Sequence, residues 1–316
     1  MLMFRLLEWL GRNAMLVLPA GIVAALILPE TDAPITLIVP PLIAVIYTVT
    51  FIRMDLPALL RTMLTPMEIL WQMLIAGFIL IIMPLLLIGG CMLAGVDAAL
   101  LPSATWYAVA PPIASTAWIC GIMGLSLPTA MRVIVMTSLL APFTGPFMIG
   151  LILPNAASIS SLAMFFNLAA MIFAGVIIAW LGQLILGREQ IARHNHRFDG
   201  LAALTMLIFL IPVFNGIPRQ IIDLPSLACK LLLLAVVLNF STQFILMLVA
   251  RLSPYRQGRD LASVLAVLSG NRNVGLYYGA LPVDPIFGMF TALYQVPLYL
   301  TPLLMSRVRR LMGLDR

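Results

Sequence analysis

Along the chain, apolar runs roughly 20 residues long alternate with short polar and basic clusters, and within each run the apolar residues are continuous. Continuous runs of that length predict membrane helices, whereas alternation with a period of two would mark barrel strands. Bounded by Pro, Gly and charge, the runs fall at 14–29, 35–52, 67–95, 98–124, 126–152, 159–186, 200–217, 225–250, 260–281 and 285–305, which predicts ten spans. The fourth and ninth are each interrupted midway by helix-breaking polar sequence. Composition agrees. Of 316 residues, 62% are hydrophobic and only 9% charged, more apolar surface than a soluble core of this size could bury under a wettable exterior. The 23 Pro and 21 Gly suit membrane helices, whose neighbours satisfy freed backbone groups.

Net charge of +6 raises nucleic acid as a partner. The basic residues nevertheless sit in clusters between apolar runs, not on one face, and nucleic acid is set aside. On the ten-span count, fourteen of the 18 Lys and Arg lie on the side of both termini, Arg219 alone lies opposite, and Arg132, Lys230 and Arg272 fall within spans. That asymmetry predicts an integral protein of the bacterial inner (plasma) membrane with both termini cytoplasmic. Spans 4–5 and 9–10 also share a plan, a broken helix followed by one with paired prolines, Pro142 and Pro146 answering Pro297 and Pro302. Five spans per half is odd, so residues 1–155 and 156–316 are expected to form an inverted 5+5 repeat with helices 4 and 9 discontinuous and crossing. Such repeats mark secondary transporters with a site near the bilayer midplane.

The candidate chemistry lies at the two interruptions. In the ninth span, Ser269-Gly270-Asn271-Arg272-Asn273 puts two amides and a guanidinium at bilayer depth, where a lone charge costs about 2.5–3.5 kcal/mol on insertion scales. Arg272 is then either a structural arginine saturated by carbonyls of the opposing broken helix, or part of an anion site with the N–H groups of the following half-helix. In the fourth span, Pro111 and Pro112 cannot donate to a helix ladder, and Ser115 and Thr116 open the next half-helix. The anion reading assigns Ser115, Thr116, Asn271, Arg272 and Asn273 to substrate binding, with Pro111, Pro112 and Gly270 as helix breaks. Arg132 and Lys230 are expected to snorkel. Asn239, Ser241, Thr242, Gln243 and Gln295 are read as interhelical hydrogen-bonding groups.

The remaining titratable groups offer little. All twelve acids lie in loops or at span ends, Asp97 and Asp260 as simple caps, and His194 and His196 belong to a basic loop. Cys91, Cys120 and Cys229 have no metal or disulfide spacing and are read as small core residues. No metal, no cofactor and no enzymatic motif is expected.

Met83-Pro84-Leu85-Leu86, the Pro-to-Ser/Thr break at 111–116, Thr137-Ser138-Leu139-Leu140-Ala141-Pro142 and Gly270-Asn271-Arg272-Asn273, in that order, resemble segments of the bile acid:sodium symporter family, within the larger group of arsenite exporters and auxin-type carriers. The resemblance covers nearly the whole chain. It implies a panel domain from spans 1, 2, 6 and 7, and a core domain from spans 3–5 and 8–10, moving in alternating access. The departures fall on the family's sodium ligands. Its Ser-Asn pair corresponds to Thr116-Ala117, its span-five hydroxyls to Ala130 and Ile134, its Glu and Gln of span nine to Leu268 and Arg272, and its span-three Gln to Ile79, while Asn273 is retained. The expectation is a sodium-independent carrier of a small organic anion, with the lipid bilayer as its other partner. Sodium-coupled symport through backbone carbonyls, and a membrane receptor or scaffold without transport, are the alternatives.

Overall fold

The computed structural model describes residues 2–32, 34–55, 61, 65–154, 160–281 and 284–314. Among the described residues the protein is α-helical with no strand. Seven helices are long and apolar enough to cross a membrane: α1 (Leu2–Leu26), α3 (Pro66–Leu93), α6 (Leu127–Ile152), α7 (Ser161–Leu186), α9 (Asn195–Phe214), α11 (Pro225–Leu252) and α14 (Pro285–Leu311). Between them lie the shorter α2 (Val39–Phe51), α4 (Leu101–Val109), α5 (Thr116–Ile122), α8 (Arg188–Arg193), α10 (Ile217–Asp223), α12 (Arg256–Gly270) and α13 (Val274–Ala280). Large apolar side chains stand exposed along whole helix faces, as at Trp71 and Leu74 on α3, Ile178 and Leu181 on α7, and Leu233 and Phe244 on α11. Such a surface requires lipid as its solvent. The chain is an all-α membrane protein.

Local sequence explains where the helices begin. Ser126, Ser160 and Asp284 each accept a backbone N–H from three residues on, at 3.4, 3.3 and 2.8 Å, and so cap α6, α7 and α14. Proline occupies the first turn of α3, α11 and α14, where its missing N–H is no loss. The C-terminal end of α2 is closed from another helix: Gln183 Nε2 of α7 lies 2.6–3.1 Å from the carbonyls of Phe51, Ile52 and Met54.

Several boundaries differ from the sequence expectation. α1 starts at Leu2 instead of near residue 14, because its charged first turns are held against α9: Arg197 Nε donates to Glu8 at 3.0 Å, and its guanidinium stacks 4.5 Å above Phe4. For the same reason α9 begins within the basic loop, at Asn195. α14 continues past residue 305 to Leu311, with Arg309 buried and donating to the Met123 carbonyl at the end of α5. Cys91 and Cys120 are buried, but Cys229 is exposed on α11 and is not a core residue. Asp97 does not cap α4; it accepts from Ala99 N at 3.1 Å in the preceding turn. The 155/156 repeat boundary lies outside the described residues.

α1 lies along α9, α2 contacts α7 and α9, and α11 packs on α12 and α14. The α1–α9 contact requires Gly200, since a Cβ there would come within 2.7 Å of Leu7 Cα.

Candidate functional site

Two chain breaks meet at the centre of the molecule. The first, at 110–115, separates α4 from α5. The second, at 271–273, separates α12 from α13. They run antiparallel and pair as a short bridge: Ile113 N donates to the Asn271 carbonyl at 2.9 Å, and Asn273 N to the Pro111 carbonyl at 2.7 Å. The pairing follows from the sequence. Pro111 and Pro112 supply carbonyls but no N–H, so the α4 break needs donors from elsewhere and receives one from Asn273.

Arg272 ties this crossing to a third helix and is fully buried. Its Nε donates to the Ser269 carbonyl at 2.7 Å, and its Nη1 to the carbonyls of Ala110 at 2.9 Å and Ile79 at 3.1 Å. Nη2 lies 2.8 Å from Met83 Sδ. Each carbonyl is open for a local reason. Ser269 would be served by the N–H of Asn273, which has turned to Pro111. Ala110, held extended before two prolines, is where the helix ends, so no next turn supplies its donor. Ile79 lies in a π-helical stretch, Phe78–Ile82, where the N–H of Met83 reaches back to Phe78 and residue 84, next in that register, is proline. The guanidinium therefore gathers oxygens from the ends of α4 and α12 and from mid-α3. All three of its nitrogens are engaged with protein atoms.

A polar shell surrounds the pair. Arg272 N donates to Tyr294 Oη at 2.6 Å, and Tyr294 Oη donates onward to the Gly270 carbonyl at 3.0 Å. Asn239 Nδ2 reaches the same carbonyl at 2.7 Å, and Tyr107 Oη lies 2.9 Å from it. Gly270 permits this approach, because a Cβ there would stand 2.6 Å from the Asn239 carbonyl. Thr301 Oγ1 donates to Asn271 Oδ1 at 3.0 Å and receives Gln243 Nε2 at 3.2 Å. Asn273 caps α13, accepting from Leu276 N at 3.2 Å, while its amide donates to Tyr47 Oη of α2 at 3.2 Å.

Of the residues singled out in the sequence, Asn271, Arg272, Asn273, Pro111 and Pro112 are thus brought together. Ser115 and Thr116 lie at the start of α5, buried, with hydroxyls that find no partner among the described residues. Ser269 Oγ is in the same condition; its only sequence signal was its place beside Gly270. Tyr107, Tyr294, Met83 and the Ile79 carbonyl were missed. Tyrosines inside apolar spans were the available hint for the first two, since a buried phenol needs a partner. Arg132 does more than snorkel, pairing with Glu68 at 2.7 Å, and Lys230 stands 3.6 Å from Asp97.

A cavity of about 380 Å³ is lined by Thr50 of α2, Arg53 just after it, His196 and Asp199 of α9, and Ala117, Trp118 and Gly121 of α5. It reaches the half-helix that begins at Thr116 and is of a size that holds small molecules. Arg272 does not line it. Among the described residues no group of three or more His, Cys, Asp or Glu side chains could hold a metal ion.

Compared with protein-family models and with curated proteins, the chain matches none.

Proposed function

We propose that the chain is a sodium-independent secondary transporter of a small organic anion, working by alternating access around the crossed helix breaks. In this reading α1, α2, α7 and α9 form the panel, and α3–α6 with α11–α14 form the core. The ten spans comprise the seven long helices, the short α2, and the two broken pairs α4–α5 and α12–α13, arranged as an inverted repeat with both termini cytoplasmic.

The observation that carries the proposal is the coordination of Arg272. Crossed half-helices bring the negative ends of two helix dipoles, and their open carbonyls, to one point in a low-dielectric interior. Something positive must sit there. A bound cation is one solution; a tethered guanidinium that takes carbonyls from Ser269, Ala110 and Ile79 is another, and it needs no ion to arrive or leave. Its planar fork suits several acceptors at fixed positions. The positive charge it brings to the helix break also favours an anion nearby. The buried hydroxyls of Ser115 and Thr116, without a partner among the described residues, would be satisfied by a polar ligand reaching the start of α5.

The test is uptake of an organic-anion panel by the purified protein in proteoliposomes, with sodium and potassium compared at equal ionic strength. Substrate-dependent flux at the same rate in both salts is expected. Flux that vanishes without sodium overturns the coupling claim. Binding without flux for every anion bound favours a receptor.

A further inference from the structure

We propose that Arg53 is the residue that receives the anionic group of the transported molecule, and that Asp199 occupies it as an internal stand-in when no anion is bound. The ligand class is a carboxylate carried on a flat apolar body. The inference rests on the transporter reading for its biological sense, and on the cavity alone for its chemistry.

Arg272 is saturated and fully buried, so an anion must meet a different cation. Arg53 lines the cavity, and its side chain is 14% exposed. Its Nε donates to the Val49 carbonyl at 3.3 Å, which fixes the stem to the end of α2, and its Nη1 donates to Asp199 Oδ1. No acceptor holds Nη2 among the described residues. Half of the fork is therefore left for a ligand, in contrast with Arg272. Asp199, whose side chain is 19% exposed, lines the same cavity. A carboxylate entering that space meets Arg53 from the cavity side and offers two oxygens to the fork where Asp199 uses one.

The displaced Asp199 has a second partner. His196 Nδ1, also at the cavity, lies 3.7 Å from Asp199 Oδ2. Another lining residue accounts for the rest of the ligand. Trp118, three residues into α5, lines the cavity and packs against the cluster of Leu10, Ala14 and Ala203 from α1 and α9. It is a flat apolar side chain in the same cavity as the cation, and it joins the half-helix to α1 and α9. A ligand bridging Arg53 and Trp118 contacts panel and core at once, as a transported molecule must.

The experiment is calorimetric titration of the full chain in lipid nanodiscs with 2-naphthoate, using 2-naphthamide as the uncharged control. The parent is expected to bind the acid and not the amide. Arg53→Gln should weaken binding at least about tenfold, and Asp199→Asn should strengthen it about tenfold by removing the competitor. Gly121→Leu is the second variant: a Cβ at Gly121, which lines the cavity, meets no atom within 4 Å, so an added side chain is expected to occupy cavity space and abolish binding with the Arg53–Asp199 pair intact, provided the variant melts like the parent. Binding unchanged in Arg53→Gln or in Gly121→Leu overturns the proposal. So does weaker binding in an Asp199→Asn protein that melts like the parent, or no binding by both the parent and Asp199→Asn. Flux of 2-naphthoate in proteoliposomes separates the two claims: the expected binding pattern without flux sinks transport and leaves the site.

Discussion

Replacing Arg272 removes a side chain that joins α3 to both broken helices. In Arg272→Met the carbonyls of Ser269, Ala110 and Ile79 lose their donor together. A buried carbonyl left without a donor costs about 1–3 kcal/mol, so three cost about 6 kcal/mol at the middle of that range. Against this, deleting the guanidinium recovers about 3 kcal/mol of the penalty for holding a charge at bilayer depth. The net is a destabilisation of about 3 kcal/mol, large against the marginal stability of most folds. Arg272→Gln keeps two N–H donors on a shorter stem and should lose somewhat less. Arg272→Lys keeps the charge but not the fork, and should lose least.

Thermal unfolding in detergent should therefore rank the variants parent, Lys, Gln, Met from most to least stable. Uptake should follow, with partial function in Arg272→Lys and none in Arg272→Gln, and no sodium dependence should reappear in Arg272→Gln, since Ile79, Ala130, Ile134 and Leu268 still offer no side-chain oxygen. Arg132→Gln is the control. Its pair with Glu68 is about a quarter exposed, and such pairs contribute about 1 kcal/mol or less. An Arg272→Gln protein that melts and transports like the parent would refute the idea that the guanidinium organises the crossing.

Three further outcomes are expected. Titration with sodium against potassium at constant ionic strength should give no saturable rise in melting temperature, whereas a sodium-specific shift of several degrees would reveal a site built from backbone alone. Gly270→Ala should lower stability by about 1–3 kcal/mol in chemical or thermal unfolding, because its Cβ would stand 2.6 Å from the Asn239 carbonyl; a neutral result would mean that α11 yields easily. In a background with Cys229 replaced, since it is the exposed native thiol, a cysteine at position 195 should label only from the cytoplasm and one at position 156, outside the described residues, only from the other side; same-side labelling would break the ten-span arrangement.

The long helices were legible because a membrane enforces a simple rule. Every residue of a span facing lipid must be apolar, so length and composition locate α3, α6, α7 and α11 almost to the turn. The places where the rule fails were legible for the same reason: two adjacent prolines, or Asn-Arg-Asn within an apolar run, have no purpose in a plain span. Helix ends in water obey no such rule. The early starts of α1 and α9 depend on Arg197 meeting Glu8 and Phe4, a contact between segments nearly two hundred positions apart. The outward face of Cys229 depends on rotation about α11, which a run apolar on all sides does not encode.

At the site, the sequence displayed the charge but not its acceptors, because backbone carbonyls carry no residue signature. Arg272 stands out by its charge alone, whereas the oxygens it binds belong to a serine, an alanine and an isoleucine, and nothing in the names Ile79 or Ala110 announces an acceptor. The signal lay one step away, in the prolines. Pro111 and Pro112 follow Ala110, and Pro84 stands where the π-helical register would return an N–H to Ile79. Pro84 deletes the donor itself, while Pro111 and Pro112 end the helix at Ala110, so that no following turn returns an N–H to its carbonyl. Three elements, each with a carbonyl left open by the local chain course, face one fully buried arginine whose donors are otherwise unmatched. Open carbonyls and a stranded cation each cost free energy alone, and each removes the other's cost when they meet. In a span where proline opens a carbonyl, the first partner to seek is therefore the nearest cation that insertion energetics cannot otherwise explain.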